Sequence, residues 1–130
     1  MALLYYGDKM ADIFVFGSNL QGRHGRGSAK FAVDNHGAIY GVGRGIQGNS
    51  YGIPTKSNPW QTLSLPRIMV YVNEFKEWVL DHPNDSFRVV EIGCGLAGYT
   101  PQEIAPLFKD MPKNVYLPDS FRKILERKET

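Results

Sequence analysis

The pattern of apolar and polar positions predicts a strand, a glycine-rich loop and a helix early in the chain. Residues 13–16 are four consecutive apolar residues, which is typical of a strand covered on both faces of a sheet. A glycine-rich stretch follows over residues 17–27. Residues 28–33 are compatible with a helix, which we expect to end at Gly37 because glycine favours the left-handed conformation found after helix ends.

A second unit of the same kind lies later in the chain. Residues 87–92 form a strand-like run that leads into a glycine-rich loop over residues 93–99. Thr100 and Glu103 have the spacing of a capping box and enclose Pro101, so they predict the start of a helix.

The other predicted elements are short, except for one helix. That helix begins after Ser64, a favourable N-cap residue, and carries apolar residues at helical spacing up to Val79. We also expect strands at residues 38–40 and 51–54 with a loop at 41–48 between them, a connection at 57–62, a strand at 115–117 and a C-terminal helix at 121–125.

Alternating strands and helices in 130 residues predict one layered α/β domain over residues 1–130. In such sheets the ligand sits beyond the carboxyl ends of the strands, where both glycine-rich loops open.

Composition and charge narrow the possible functions. The formal net charge is +2 and the basic residues are dispersed, which gives no argument for a nucleic-acid partner. No apolar run approaches the ~20 residues that cross a bilayer, so we expect no membrane partner and a cytoplasmic protein, in the host cytoplasm if it is phage-encoded.

Cys94 is the one cysteine, which excludes an intramolecular disulfide and a zinc site built from cysteines. We predict no metal and no cofactor.

Ten of the 14 glycines fall between Gly17 and Gly52. Because glycine loses more conformational freedom on folding than other residues, this concentration needs a physical reason. Either the backbone makes many turns with positive φ there, or it approaches something closely.

The second loop, residues 93–99, has the features of a phosphate site. Its glycines allow backbone N–H groups to point into a concave nest, and the helix after it adds a partial positive charge. Together they suit phosphate, although a tight strand-to-helix turn that binds nothing has the same composition. The first loop strengthens the binding interpretation, because two loops at one sheet edge can hold a diphosphate from both sides.

Two residues of the first loop are candidates for chemistry. Asn19 directly follows the buried strand, and its amide can hold a sugar hydroxyl, orient a water, or simply fit a turn. His24 lies between Arg23 and Arg26 in sequence and can serve as a general base or, when protonated, as a phosphate partner. The alternative for His24 is a loop histidine exposed to solvent.

Four further residues have both a chemical and a structural interpretation. Cys94 lies where a helix N-terminus lowers a thiol pKa, but a small residue that fits a tight loop is the favoured interpretation. Tyr99 can stack on a ligand ring or pack against the sheet. Asp8 and Asp12 can accept a hydrogen bond from an adenine amino group, although surface carboxylates are the default.

Two segments resemble the motifs of macro domains. Residues 12–19, in which a buried strand ends in asparagine before a glycine-rich stretch, are similar to the first motif of that family. Residues 92–99 are similar to its phosphate loop, with a second glycine three residues after the first and an aromatic residue next. Residues 13–27, 51–55 and 92–108 together look most like a group of phage and bacterial macro-like proteins.

The resemblance implies a three-layer α/β/α fold with a single mixed sheet and a site for ADP-ribose. It implies that the second loop holds the diphosphate, that Asn19 lies near the distal ribose, and that His24 is a possible catalytic group. The family aspartate that reads adenine would correspond to Asp8. The residues expected to bind the ligand are Gly17, Ser18, Gly25, Gly27, Gly93, Cys94, Gly95, Leu96, Ala97, Gly98 and Tyr99.

Two functions therefore stay open: hydrolysis of an ADP-ribosyl linkage or an ADP-ribose derivative, and non-catalytic binding of ADP-ribose or a signalling nucleotide. In the first, Asn19 positions a water near the anomeric carbon and His24 is the base. Non-catalytic binding needs both loops but neither Asn19 nor His24. In both, the partner is a small ADP-ribose-like nucleotide or an ADP-ribosylated macromolecule. A nucleic-acid site built on Arg23, Arg26 and Arg44 is a weaker third hypothesis.

Overall fold

One mixed sheet forms the centre of the protein in a computed structural model that describes residues 11–128. The strand order is β2-β3-β1-β5-β6, and β4 pairs with β3. The elements in chain order are β1 (Asp12–Asn19), α1 (Gly27–His36), β2 (Gly45–Gln47), β3 (Ser50–Asn58), β4 (Gln61–Thr62), α2 (Leu65–Leu80), β5 (Ser86–Val89), α3 (Pro101–Ile104), a 3₁₀ helix (Ala105–Phe108), β6 (Val115–Tyr116) and α4 (Asp119–Lys128).

β1 lies in the middle of the sheet and is buried on both of its faces. It pairs in parallel with β3 on one side and with β5 on the other. Ile13 and Val15 join the larger apolar cluster, whereas Phe14 and Phe16 join a smaller one. Because strand side chains alternate between the two faces of a sheet, these clusters lie on opposite faces. The prediction of a strand covered on both faces is confirmed.

Helices cover both faces of the sheet, which gives three layers. α2, the 3₁₀ helix and α4 contribute Ile68, Phe108 and Phe121 to the larger cluster, where all three side chains are fully buried. α1 covers the other face with Ala29 and Ala32, whose small side chains allow the helix to lie close to the sheet. The predicted three-layer α/β/α arrangement around a single mixed sheet is therefore confirmed.

The helix ends agree with the predicted signals. Ser64 accepts a hydrogen bond from the Arg67 amide at 3.4 Å, and Thr100 and Glu103 form both bonds of the capping box. Gly37 follows α1 with φ of 76°. α3 is a single turn of four residues, because the chain continues from it as the 3₁₀ helix. No helix in the described part of the chain is long and apolar enough to cross a membrane.

The segment over residues 38–48 differs from the prediction. Residues 38–40 form no strand, and the three-residue strand β2 lies inside the predicted loop. The reason is long-range contact: β2 pairs with β3, and Gln47 Oε1 accepts a hydrogen bond from the Ile39 amide at 2.8 Å. The predicted connection at residues 57–62 likewise contains the turn of the β3–β4 hairpin.

Several glycines of the first half allow two backbone segments to touch. A Cβ atom on Gly22 would lie 2.3 Å from the Gly41 carbonyl carbon, and one on Gly43 would lie 2.4 Å from the Asn19 carbonyl oxygen. Both distances are too short for any side chain, so these glycines hold residues 38–48 against the first loop. At these positions the close approach that the composition predicted is to the protein's own backbone.

Candidate functional site

A cavity of about 700 Å³ lies at the carboxyl ends of β1, β3 and β5. Open α/β sheets bind their ligands at this edge, and the volume is in the range of small-molecule sites. Another cavity, of about 630 Å³ between the 3₁₀ helix, β6 and α4, contains none of the predicted site residues. The predicted residues that line the larger cavity are Gly17, Ser18, Asn19, Gly25, Gly27, Gly93, Gly95, Leu96 and Ala97.

The N-terminus of α1 opens into this cavity without a side-chain cap. Its N-cap residue, Arg26, forms no capping hydrogen bond, and its first turn carries no acidic residue. Gly27, Ser28 and Ala29 of that turn line the cavity. The unpaired N–H groups and the positive end of the helix dipole are therefore available to an anion at this wall.

The second loop offers amides of its own, but the helix after it does not. Within the described part of the chain, the N–H groups of Gly95, Leu96 and Ala97 have no hydrogen-bond acceptor. The N-terminus of α3 is closed by the capping box of Thr100 and Glu103, and neither residue lines the cavity. The expectation that this helix strengthens the second loop is therefore wrong. The helix whose N-terminus opens into the cavity is α1.

Positive charge dominates the cavity wall. Arg23, Arg26 and Lys56 line it, and Glu91 is the one carboxylate among its described lining residues. None of the three cations forms an ion pair with a described carboxylate. Three cations against one carboxylate favour an anionic ligand, and guanidinium groups suit phosphate oxygens in particular.

Asn19 lies at the end of β1, where it lines the cavity and holds the first loop. Its Oδ1 accepts a hydrogen bond from the Arg23 amide at 3.0 Å, and its Nδ2 donates to the Arg23 carbonyl at 3.0 Å. This is the turn role that the sequence left open. Because a side-chain amide has two N–H donors and two acceptor lone pairs, one of each remains for a ligand.

His24 is buried beneath the first loop and does not line the cavity. Its exposed fraction is 2%, so the alternative of a solvent-exposed loop histidine is wrong. Nε2 lies 2.8 Å from the Val42 carbonyl oxygen, and the ring packs edge-on against Phe16. This position differs from the one expected of a general base. The position of His24 is that of a residue that holds the first loop against residues 38–48.

Gly98 and Tyr99 shape the second loop and do not line the cavity. Gly98 has φ of 87°, and its N–H donates to the Gly95 carbonyl, which closes the turn. The Tyr99 hydroxyl donates to the Leu63 carbonyl at 2.6 Å and anchors the loop to the segment before α2. Of the two roles considered for Tyr99, packing within the protein is the one observed.

Cys94 is a half-buried thiol that also lies outside the cavity lining. Burial, with smaller contributions from Glu91 and Glu103, raises the pKa of the Cys94 thiol to about 11. The lowering expected at a helix N-terminus is therefore not found, because burial disfavours the charged thiolate. The described residues include no group of three His, Cys, Asp or Glu side chains that could hold a metal.

Asp12 is too far from the cavity to contact a ligand there. It lies at the start of β1, whereas the cavity lies at the other end of this eight-residue strand, about 20 Å away at the rise of an extended chain. Its carboxylate instead forms an ion pair with Arg88 at 2.9 Å. Of the two interpretations of Asp12, the surface carboxylate that the sequence favoured is the one observed, and Asp8 lies outside the described residues.

Lys56 and Trp60 also line the cavity, although their sequence positions were not predicted to belong to a site. Lys56 is the register partner of Asn19 in the β1–β3 pair, and its Nζ donates to the Pro59 carbonyl at 2.6 Å. A signal was present, because position 56 follows the predicted strand at residues 51–54. The rule that ligands lie at carboxyl ends applies to β3 as it does to β1.

Gly25 and Gly95 are the two described glycines at which an added side chain would meet open space without a positive φ. A Cβ atom on either would meet no heavy atom within 4 Å, and neither has φ in the left-handed range. Both line the cavity. The lack of a side chain at these positions leaves the backbone open to close approach from the cavity.

A solved structure shares this architecture. The chain is similar to Thermosipho africanus DarTG in complex with ADP-ribose, with a TM-score of 0.60 and 18% sequence identity over 85% of this chain. The chain has a macro-like fold. The macro-like region covers 38% of the DarTG chain, so this chain spans less than half of that protein's length. No family model matches the sequence, and no curated protein matches it.

The raised pKa of the Cys94 thiol predicts slow modification at neutral pH. With a pKa of about 11 instead of 9.0, the reactive thiolate is about a hundredfold less abundant at pH 8. We expect the rate of alkylation by iodoacetamide to be correspondingly low and to rise with pH up to about 11. The same protein unfolded in denaturant serves as the control. A folded-state rate equal to the unfolded one at pH 8 would contradict this.

Proposed function

We propose that this chain binds ADP-ribose, or a closely related phosphorylated nucleotide, in the cavity at the carboxyl ends of β1, β3 and β5. The observation that carries the proposal is the pair Gly25 and Gly95. Neither the surrounding space nor the backbone φ demands glycine at these two positions, and they lie on the two loops that line the cavity. Glycine at such positions is explained when a ligand lies directly against the backbone.

In this proposal the diphosphate lies between two sets of unpaired amides. One set belongs to the first turn of α1, and the other to Gly95, Leu96 and Ala97 of the second loop. The Leu96 side chain reaches the start of α1, since a Cβ atom on Gly27 would lie 3.5 Å from Leu96 Cδ1. Arg23 and Arg26 add charge-assisted hydrogen bonds to the phosphate oxygens.

The choice of ADP-ribose among phosphorylated ligands rests on two likenesses. The motifs at residues 12–19 and 92–99 resemble those of macro domains. The DarTG structure with the same fold was solved in complex with ADP-ribose.

We further propose that the site hydrolyses an ADP-ribosyl linkage. A water attacks the anomeric carbon of the distal ribose, the bond from that carbon to the attached group breaks, and the attached group leaves with a proton. Asn19 orients the ribose or the water through its remaining N–H and lone pair, and the Lys56 ammonium stabilises the leaving group. His24 acts indirectly, as the buried support of the first loop.

A non-catalytic binding module is the second candidate function. The observation in its favour is that both groups assigned to catalysis also have structural partners. The Asn19 amide is bonded to Arg23, and Lys56 Nζ is bonded to the Pro59 carbonyl. In both candidates the ligand is a free nucleotide or the ADP-ribosyl group of a modified macromolecule.

Adding a methyl group at Gly25 or Gly95 tests the binding proposal. We expect Gly25→Ala and Gly95→Ala to lower the affinity for ADP-ribose about tenfold or more, measured by isothermal titration calorimetry, because each methyl fills space next to the ligand. The free energy of unfolding, measured with urea, should stay the same or rise by about 0.4–1 kcal/mol, since alanine restricts the unfolded chain.

Gly98→Ala is the matched control, because it adds the same methyl to the second loop outside the cavity lining. Its φ of 87° makes alanine unfavourable, so this variant should lose about 1 kcal/mol of stability. Unchanged ADP-ribose affinity in both cavity variants would remove the main argument for the site. A lack of ADP-ribose binding by the unaltered protein would contradict the proposal as a whole.

Removing the charge of Lys56 tests the catalytic proposal. We expect Lys56→Met to slow the release of para-nitrophenol from para-nitrophenyl ADP-ribose, followed by absorbance, by about a hundredfold or more. Lys56→Arg, which keeps the positive charge, should recover part of the rate. ADP-ribose affinity should change much less than the rate in both variants. Wild-type turnover by Lys56→Met would contradict the role given to Lys56, whereas no turnover by the unaltered protein would favour the non-catalytic module.

A further inference from the structure

Trp60 presents an open aromatic face beside the cavity. With 78% of its surface exposed, it is the most exposed of the large apolar side chains in the described part of the chain. It lines the cavity at the turn of the β3–β4 hairpin. Tryptophan is usually largely buried, and an exposed one at the rim of a cavity offers the face of its ring for stacking.

The turn that carries Trp60 is held in place by hydrogen bonds. Asn58 Oδ1 accepts bonds from the Trp60 amide at 2.8 Å and the Gln61 amide at 3.0 Å. The Pro59 carbonyl accepts the bond from Lys56 Nζ, and the ring of Pro59 fixes its own backbone. The hairpin is also tied to the second loop, since Thr62 Oγ1 donates to the Ala97 carbonyl at 3.1 Å. The backbone that carries the Trp60 ring is therefore held in place relative to the cavity.

The order of strands places Trp60 on one particular side of the site. Along the sheet edge, Glu91 follows β5, Asn19 ends β1 and Lys56 lies on β3. Trp60 lies beyond Lys56, four residues further along the hairpin. If the anomeric carbon of a ligand lies between Asn19 and Lys56, a group attached to that carbon on the Lys56 side lies on the side of Trp60.

From this arrangement we infer that Trp60 is a specificity residue that stacks on a planar ring joined to the distal ribose. The inference rests on the proposed function, and it specifies the attached group as an uncharged aromatic or heteroaromatic ring. An uncharged ring is preferred to the cationic ring of NAD because Arg23, Arg26 and Lys56 already line the cavity. Stacking of this kind uses the flat face of a ring and not the hydrogen-bonding groups at its edge, so it recognises any planar ring.

The experiment compares two ligands that differ only in the group on the anomeric carbon of the distal ribose. ADP-ribose carries a hydroxyl group there, and the para-nitrophenyl thioglycoside of ADP-ribose carries a ring through a sulfur atom that resists hydrolysis. We expect Trp60→Ala to lower the affinity for the thioglycoside about tenfold, and the affinity for ADP-ribose less than twofold, measured by calorimetry. Tyr40→Ala removes another exposed aromatic residue of the same cavity and should leave the ratio of the two affinities unchanged.

A fluorescence measurement reports the stacking directly. The chain has two tryptophans, so Trp78→Phe leaves Trp60 as the one emitter. The thioglycoside should quench this emission strongly and ADP-ribose weakly, because the nitrophenyl ring lies on the indole face.

Three results would overturn the inference: equal loss of affinity for both ligands in Trp60→Ala, no loss for either, or a larger Trp60 dependence for NAD than for the thioglycoside. Each of these presupposes binding by the unaltered protein. If the unaltered protein binds neither ADP-ribose nor the thioglycoside, the proposed function itself fails, which is a different outcome.

Discussion

The parallel pairing of β1 with β3 and β5 is the constraint on which the site depends. Because β1 is buried on both faces and paired along both edges, a shift of one residue would move every side chain to the wrong face. The register is therefore fixed, and with it the order Lys56, Asn19, Glu91 along the carboxyl ends of the strands. In the proposed function, that order sets the direction of the nucleotide in the cavity.

Glycine has two functions in this protein. Gly22 and Gly43 allow backbone segments to touch, and the buried side chains of His24 and Gln47 fill the space around these contacts. The first loop is thereby fixed to the sheet before any ligand arrives. Gly25 and Gly95, in contrast, open the backbone to the cavity. Amides that are already in position lose little conformational freedom on binding, which favours affinity for a flexible diphosphate.

Local patterns were sufficient for β1, α2 and the cap of α3, because their signals lie within a few neighbouring residues. β2 and Lys56 obtain their positions from pairing with β3 and β1, which no local window contains. The burial of His24 likewise depends on contacts with Phe16 and Val42. The sequence places His24 in the correct loop, but it does not show on which side of that loop the ring lies.

The central claim is that the amides of the first turn of α1 and of the second loop hold a diphosphate. An ADP-ribose titration of isotope-labelled protein, followed by amide proton–nitrogen correlation spectra, tests it most directly. The account predicts saturable shifts that are largest at Gly25, Gly27, Gly95, Leu96 and Ala97. Spectra without saturable changes, or changes confined to the cavity between the 3₁₀ helix, β6 and α4, would contradict it.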